Sequence, residues 1–425
     1  MTQNIKNHCK ERNLAEWLCY LEQLHTSEID MGLTRIGQVA QTLSIDLSFA
    51  QVITVAGTNG KGTTCAFIEN ALLAKHKTVA VYSSPHISQF NERLRINNSN
   101  VNDQLLITAF EKIEHARNGI SLTYYEFTTL AALLIVMEVK PDVVILEVGL
   151  GGRLDATNII DADIAVITTI DLDHQAYLGN DRESIGFEKA GIMRSGQVVV
   201  IGDPESPQSV LNHAISLDTR CSKRDKDFFI EQHDNKWSWH DHHQRFEALP
   251  PAHIPLDNIA TGLMVLSLLL KPLAINFLNE DIVSIIESTR VAGRTERFID
   301  GCDVILDVGH NPLAARYLVK VLSQCHYNRV LAVVGMLVDK DISNTLAPFN
   351  GHIDTWYLAN LGSQRGATAK QLQSNLQQGS TQTFCFDNVV DAYKMAHHQS
   401  KVNDLILVFG SFYTVAEVRQ LLVER

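Results

Sequence analysis

The feature that most restricts the fold of this chain is a glycine-rich segment between an apolar run and a helical pattern. Residues 52–55 lead into Ala56-Gly57-Thr58-Asn59-Gly60-Lys61-Gly62-Thr63-Thr64, and a helix is expected to begin near Thr63. Glycines let backbone N–H groups turn toward phosphate oxygens, and the helix N-terminus adds positive potential. This order of elements predicts a phosphate-binding loop in an α/β sheet, with Lys61 near the terminal phosphates of ATP.

The spacing of this loop differs from the common pattern Gly-x-x-x-x-Gly-Lys-Ser/Thr. Gly60 stands only three residues after Gly57, and Gly62 separates Lys61 from Thr63. The alternative interpretation is a glycine-rich turn from strand to helix with a solvent-exposed lysine. The flanking structure and the paired threonines favour the phosphate loop.

The fold class is predicted to be α/β, because short β-branched runs alternate with helical patterns. The clearest N-terminal strands are 52–55, 78–83, 143–148 and 164–170, and helices are expected near Thr63, Asn102 and Tyr125. C-terminal strands are expected at 304–308, 330–335, 355–358, 383–386 and 405–409, with helices near Pro312, Thr368, Asn388 and Thr414. No Gly-x-Gly-x-x-Gly follows any of these strands, so a dinucleotide cofactor has no support.

Two domains are expected from this pattern. Residues 1–293 would form the phosphate-loop domain with a mostly parallel sheet, and residues 294–425 a Rossmann-like α/β domain. The region of about 203–251 lacks strong α/β alternation and contains a hairpin pattern at 228–239, so we interpret it as an antiparallel appendage. Val291-Ala292-Gly293-Arg294 is predicted to be the hinge between the domains.

Composition limits the partners and the compartment. A formal net charge of -12 argues against a broad nucleic-acid or membrane surface, and seven scattered cysteines without metal-ligand spacing suit a reducing compartment. Residues 1–17 have no apolar core of the signal-peptide kind, and the apolar stretches 122–139 and 261–278 carry charges. We therefore expect a cytoplasmic, monomeric protein that binds small molecules, and neither nucleic acid nor membrane.

Three polar side chains, Ser84, Glu147 and His174, are predicted at the C-terminal ends of parallel strands. That edge of an open α/β sheet is where ligands bind, and the phosphate loop lies there too. A carboxylate, a hydroxyl and an imidazole near phosphates suit a divalent cation such as magnesium. Singly, each residue has another interpretation: Ser84 as a helix cap, Glu147 as a buried hydrogen-bonded acid and His174 as a loop histidine.

Several long motifs resemble one family. Gly-Thr-Asn-Gly-Lys-Gly-Thr-Thr at 57–64 resembles the phosphate loop of the Mur-type amide ligases, and within them that of the folylpolyglutamate synthases. Segments 83–86, 146–158, 173–174, 188–192 and 306–312 resemble the same family in the right order. The match is closest to the bifunctional bacterial dihydrofolate synthase/folylpolyglutamate synthases and weakest at 203–251. Ala292 and Gly309 depart from the Pro and Ala common at those positions, which leaves the reactive groups intact.

The resemblance implies a set of site residues. The implied ATP contacts are Thr58, Asn59, Gly60, Lys61, Gly62, Thr63, Asn258, Arg294 and Asp307, and the implied magnesium ligands are Ser84, Glu147, His174 and Lys189. The implied pterin contacts are Thr123, Tyr124, Tyr125, Glu126, Leu154, Asp155 and Ala156, and His310 would face the glutamate. Lys61, Lys189 and His174 would be the catalytic residues, and Lys189 stands where many Mur-type ligases carry a carbamylated lysine.

The implied activity is ATP-dependent ligation of L-glutamate to dihydropteroate, and then to the γ-carboxylate of tetrahydrofolates, through an acyl phosphate. Two magnesium ions would assist, and potassium is left open as a further cation. The nearest rivals are a folylpolyglutamate synthase without the first activity and another Mur-type ligase. A phosphate-loop regulatory NTPase is a distant alternative, since the chain has no guanine-selecting Asn-Lys-x-Asp segment.

Overall fold

The structure is a computed structural model that describes residues 12–27, 29–234, 236–363, 365–376 and 382–424. The N-terminal helices are α1 (Leu14–Gln23), α2 (Thr34–Thr42), α3 (Lys61–Ala74), α4 (Asp103–Ala116), α5 (Tyr124–Val139), α6 (Gln175–Leu178), α7 (Arg182–Ala190), α8 (Gln208–Ser216), α9 (Leu256–Leu269) and α10 (Asn279–Ser288). The N-terminal strands are β1 (Gln51–Ala56), β2 (Val79–Tyr82), β3 (Leu94–Ile96), β4 (Ser99–Asn100), β5 (Val143–Glu147), β6 (Ile164–Ile167), β7 (Val198–Ile201), β8 (Arg220–Lys223), β9 (Phe229–His233), β10 (Lys236–His240) and β11 (Arg245–Leu249). None of the described helices is both long and apolar enough to cross a bilayer.

The N-terminal domain is built on an eight-stranded sheet with the order β4-β3-β2-β5-β1-β6-β7-β8. Six neighbouring strands, β2-β5-β1-β6-β7-β8, pair in parallel. Strands β3 and β4 extend the β2 edge of the sheet in antiparallel pairing. Alternate residues of β1 face opposite cores, so Ile53 packs with α3 and α9 while Val52 packs with α4 and α5. Helices on both faces confirm the predicted α/β class.

The predicted appendage is shorter than 203–251. Helix α8 and strand β8 extend the parallel sheet, because β8 pairs in parallel with β7, and the antiparallel part is the three-stranded sheet β9-β10-β11. The expected hairpin is present, with His233 opposite Lys236, although Asn235 lies outside the described residues. Trp237 and Trp239 of this sheet pack into the core formed by α3, α9 and α10, so burial of aromatic surface fastens it to the domain.

The C-terminal domain is a six-stranded sheet with the order β12-β13-β17-β14-β15-β16, parallel except for β12. Its strands are β12 (Glu296–Ile299), β13 (Asp303–Asp307), β14 (Val330–Val334), β15 (Thr355–Ala359), β16 (Gln382–Phe386) and β17 (Leu405–Phe409). Its helices are α11 (Pro312–Ser323), α12 (Ile342–Leu346), α13 (Ala369–Asn375), α14 (Val389–Gln399) and α15 (Phe412–Val423). Helices α11 to α13 cover one face and α14 and α15 the other, so this half is also α/β, as predicted.

Candidate active site

The glycine-rich loop follows β1 and turns directly into α3. Gly60 has a φ of 88°, and a Cβ at that position would lie 2.3 Å from Asn258 Oδ1. A Cβ on Gly57 would lie 1.8 Å from Thr168 Oγ1. Both positions therefore require glycine. Helix α3 begins at Lys61 without a side-chain cap, so its first N–H groups are available to an anion.

Lys61 lies in the loop that it was predicted to serve. Its Nζ donates hydrogen bonds to the carbonyl oxygens of Gly57 at 2.9 Å and Thr58 at 3.4 Å. Burial lowers the pKa of Lys61, while the carboxylate of Glu147 acts in the opposite direction. The ammonium is thus held over the loop and beside an acid.

Glu147 ends β5 and is only 5% exposed. Burial raises the pKa of its carboxyl, and the cations of Lys61 and Arg294 oppose that rise. The backbone N–H of Ser84 also donates to it. A carboxylate in this position is stable only where cations or donors surround it, which makes it a suitable ligand for a divalent metal.

Ser84, Glu147, His174 and Lys189 all line the same cleft as the phosphate loop. Burial lowers the pKa of His174 to about 4, so the imidazole is neutral at pH 7 and has a lone pair for a metal. The described residues contain no group of three or more His, Cys, Asp or Glu arranged for a metal. The predicted ligand set has only two residues of those types, and its oxygen and nitrogen donors fit magnesium or manganese.

Lys189 lies in the last turn of α7 and is 4% exposed. Its side chain forms no ion pair with any described residue. Burial, together with the neighbouring Lys61 cation, lowers the pKa of its ammonium to about 7. An amine with this pKa is neutral in about half of the molecules at neutral pH.

The C-terminal domain supplies the opposite wall of the cleft with Arg294, His310 and Phe412. The guanidinium of Arg294 lies 5.4 Å from the centre of the Phe412 ring, which holds the cation over the site. His310 places Nδ1 at 2.9 Å from the carbonyl oxygen of Val308. Nδ1 donates there, and Nε2 lies 3.6 Å from Asp173 Oδ2 of the N-terminal domain.

Two of the predicted ATP contacts also organise the protein around the cleft. Asn258 Nδ2 donates to Thr63 Oγ1 at 2.8 Å, which joins α9 to the phosphate loop. Asp307 accepts from the N–H groups of Thr295 at 2.8 Å and Gly309 at 2.7 Å. Asp307 therefore ties the hinge to the end of β13.

In the predicted pterin segment 123–126, two residues bond within the protein and two present aromatic rings. Thr123 and Glu126 form a capping box at the start of α5, and Arg35 pairs with the Glu126 carboxylate at 3.2 Å. Tyr124 and Tyr125 have half-buried rings beside this cap. The polar groups of Thr123 and Glu126 are thus engaged within the protein, whereas the two tyrosines present aromatic surface.

Asp155 is the centre of a tight turn between β5 and the 3₁₀ helix Ala156–Ile159. One oxygen accepts from Gly149 N and Leu150 N at 3.0 and 2.9 Å, and the other accepts from Thr157 N and Oγ1 at 3.0 and 2.7 Å. Burial raises the pKa of Asp155, and these hydrogen bonds oppose the rise. Leu154 and Ala156, which flank it, are positioned by this turn.

The sequence reasoning missed Lys340. Its Nζ lies 2.7 Å from Asp173 Oδ1 and 3.4 Å from His174 Nε2, and its side chain is only 7% exposed. Burial alone would raise the pKa of Asp173, but His310 and Lys340 outweigh it and hold the pKa well below its usual range. Lys340 lies in the loop that follows the C-terminal end of β14, and the rule that ligands bind at that edge of the sheet could have drawn attention to it.

Two domain families match this chain. The Mur ligase middle domain matches residues 55–243, and the Mur ligase, glutamate ligase domain matches residues 293–412. The chain is 45% identical to the dihydrofolate synthase/folylpolyglutamate synthase of Escherichia coli (strain K12), over 97% of this chain and 96% of that protein. The enzyme of the same name from Haemophilus influenzae is 43% identical over 95% of this chain and 96% of its own length.

Solved structures agree with these matches. E. coli FolC in complex with DHPP and ADP is 44% identical, with a TM-score of 0.92 over 97% of this chain and 98% of that one. A bifunctional folylpolyglutamate synthase/dihydrofolate synthase with Mn, AMPPNP and L-glutamate bound is 45% identical, with a TM-score of 0.89 over the same shares.

The Asp155 turn generates a stability prediction. Replacing Asp155 with Ala removes the acceptor of five donors, which include the Tyr125 hydroxyl at 3.4 Å, so the free energy of unfolding should fall by about 2–4 kcal/mol. Urea unfolding followed by circular dichroism measures this change. Glu111→Ala, which removes an exposed acid on α4, is the control and should stay within about 0.5 kcal/mol of the wild type. An Asp155→Ala protein as stable as that control would contradict the role of the turn.

Proposed function

The chain belongs to the Mur ligase family, and we propose that it ligates L-glutamate to dihydropteroate and to the γ-carboxylate of tetrahydrofolates. It is an ATP-dependent ligase of the dihydrofolate synthase/folylpolyglutamate synthase type. The observation that carries the proposal is a single cleft in which the phosphate loop, the buried Glu147 and Arg294 of the other domain converge.

The chemistry begins with the poor reactivity of a carboxylate. Transfer of the γ-phosphoryl group of ATP to the acceptor carboxylate forms an acyl phosphate, which the neutral amine of glutamate then attacks with release of phosphate. We assign Lys61, Arg294 and the N–H groups at the start of α3 to the phosphoryl oxygens, where positive charge offsets the charge of the transition state. Closure of the cleft by the two domains would keep water from the acyl phosphate.

We assign the metal site to Ser84, Glu147 and His174, because these three donors line the cleft beside the phosphate loop. A magnesium ion there would add charge neutralisation at the phosphoryl group. Asn258 and Asp307, which border the loop and the hinge, are proposed to contact the adenosine. Thr58, Asn59, Gly60, Gly62 and Thr63 are proposed to contact phosphate mainly through the backbone.

Lys189 is proposed to be carbamylated. A neutral amine adds carbon dioxide with loss of one proton, and a pKa of about 7 makes the neutral form abundant at neutral pH. The product is an anion, so repulsion between Lys189 and Lys61 becomes attraction. The carbamate oxygens could hold a second magnesium ion beside the γ-phosphate.

The acceptor and the glutamate are proposed to approach from different sides. Tyr124, Tyr125, Leu154 and Ala156 would contact the pterin, and Asp155 would hold the turn that presents it. His310, which lines the cleft with its Nε2 at 3.6 Å from Asp173 Oδ2, is proposed to face the glutamate. We also propose that magnesium is the native ion, that potassium can act as a further cation, and that the protein is a cytoplasmic monomer.

Phosphate release in the presence of ATP, magnesium and glutamate tests the proposed function. We expect release only when dihydropteroate or tetrahydrofolate is also present, with the glutamylated products seen by mass spectrometry. Release with tetrahydrofolate alone would identify a folylpolyglutamate synthase without the first activity. Release with cell-wall nucleotide precursors, or without any acceptor, would overturn the proposal in favour of another ligase or a regulatory NTPase.

Replacing Lys61 with Ala should reduce kcat/KM for ligation by about 100-fold or more, because the loop loses its point charge. The fold should persist, since Lys61 Nζ bonds only two carbonyls of its own loop. Steady-state phosphate release measures the effect, and Lys226→Ala on the surface is the control. Wild-type turnover in Lys61→Ala would contradict the assignment.

Replacing Lys189 with Ala should reduce kcat by about 100-fold or more, and acetate should partly restore it by supplying a carboxylate in the space left. Lys189→Arg keeps a cation that cannot be carbamylated, so acetate should not restore that variant. Carbon-13 NMR of the wild type in labelled bicarbonate should show a carbamate signal that is absent from both variants. Full activity of Lys189→Ala would contradict the proposal that Lys189 is carbamylated for catalysis.

Replacing Tyr125 with Ala should raise KM for dihydropteroate by about tenfold through loss of aromatic contact, with a smaller effect on tetrahydrofolate extension. Tyr125→Phe, which loses only the hydroxyl that donates to Asp155 at 3.4 Å, should resemble the wild type. Steady-state assays of each variant with dihydropteroate and with tetrahydrofolate measure the two effects side by side. Equal loss of both activities would indicate a role in folding or in ATP positioning instead.

A further inference from the structure

Asn311 connects three parts of the molecule. It lies just before α11 in the C-terminal domain, and its Oδ1 accepts from Ala314 N at 3.0 Å, which caps that helix. The same amide faces the N-terminal domain and is only 3% exposed. Its hydrogen-bonding groups are therefore used within the protein.

The partner of Asn311 in the phosphate loop is Asn59. Asn59 Nδ2 donates to Asn311 Oδ1 at 2.9 Å, and Asn311 Nδ2 donates to Asn59 Oδ1 at 3.0 Å. A reciprocal pair of amides fixes both distance and orientation, since each amide is donor and acceptor at once. Asn311 Nδ2 also donates to Asp173 Oδ2 at 3.0 Å, which adds a second contact with the same domain.

The backbone of Asn59 is fixed from the opposite side. Its carbonyl oxygen accepts from Thr168 Oγ1 at 2.6 Å and Thr169 Oγ1 at 3.1 Å, just after β6. The loop residue is therefore held between the sheet of its own domain and an amide of the other domain. A change in the distance between the domains would act on the phosphate loop through this residue.

We propose that Asn311 is a positioning residue that couples closure of the C-terminal domain to nucleotide binding through its amide pair with Asn59. This inference rests on the proposed use of the loop for ATP phosphates. The C-terminal domain then stabilises the loop in its binding conformation, and by reciprocity a bound nucleotide stabilises the closed arrangement. Asn59 contributes to the phosphate site through its backbone, because its side chain is engaged by Asn311.

Two substitutions at Asn311 separate this role from helix capping. Asn311→Ser keeps an oxygen that can cap α11 but cannot reach Asn59 with an amide. Asn311→Asp also keeps the cap and places a carboxylate against Asp173 Oδ2 and Asn59 Oδ1, so repulsion should open the interface further. Both variants should retain cooperative thermal unfolding.

Titration calorimetry with magnesium ADP measures the coupling. We expect about five- to tenfold weaker binding for Asn311→Ser and for Asn59→Ala, and a larger loss for Asn311→Asp. The double variant Asn59→Ala/Asn311→Ser should bind no more weakly than the weaker single variant, because both changes break one pair. Arg316→Ala is the matched control: it removes another interdomain contact, the exposed ion pair with Asp171 at 2.6 Å, and should change ADP affinity by less than about twofold.

Failure of the wild type to bind ADP would refute the proposed function itself. Normal binding by the wild type together with additive losses in the double variant, or unchanged affinity in Asn311→Ser, would overturn the coupling alone. A larger radius of gyration for Asn311→Asp than for the wild type in X-ray scattering with ADP would support it, and equal radii would contradict the opening that repulsion predicts.

Discussion

The buried carboxylate of Glu147 is the constraint on which the site depends. Burial opposes its charge, so the acid is tolerable only because Lys61 and Arg294 stand near it and Ser84 donates to it. Lys61 comes from the phosphate loop and Arg294 from the hinge, so charge balance at one residue brings both together. The same acid among cations and phosphates is what a divalent metal requires.

Both domains contribute charged side chains to the cleft. Arg294 and His310 face the phosphate loop, and Lys340 neutralises Asp173 across the interface. This division suits a ligase, because an acyl phosphate must be made beside ATP and then reached by an amine before water reaches it. We propose that the segment 291–294 lets the domains open for substrates, and that the Asn59–Asn311 pair favours the closed arrangement.

Much of the fold could be predicted because apolar runs and strand-end polar residues are local signals, and Glu147 was found in this way. Lys340 was missed because no family motif included it and its partner Asp173 lies far away in sequence. Thr123 and Glu126 carry two signals: Thr-x-x-Glu before an apolar helix is the signature of a capping box, which the structure contains, and family resemblance predicts substrate contact at the same residues. Contacts between the domains could not be derived from any single segment.

The most direct test of the ligase mechanism follows an oxygen atom. If ATP activates the acceptor by phosphorylating its carboxylate, dihydropteroate labelled with oxygen-18 in that group should transfer one labelled oxygen to each phosphate released. Mass spectrometry of the phosphate after ligation in unlabelled water would show this transfer. Dihydrofolate formed together with wholly unlabelled phosphate would contradict an acyl phosphate intermediate and the roles assigned to Lys61 and Arg294 around it.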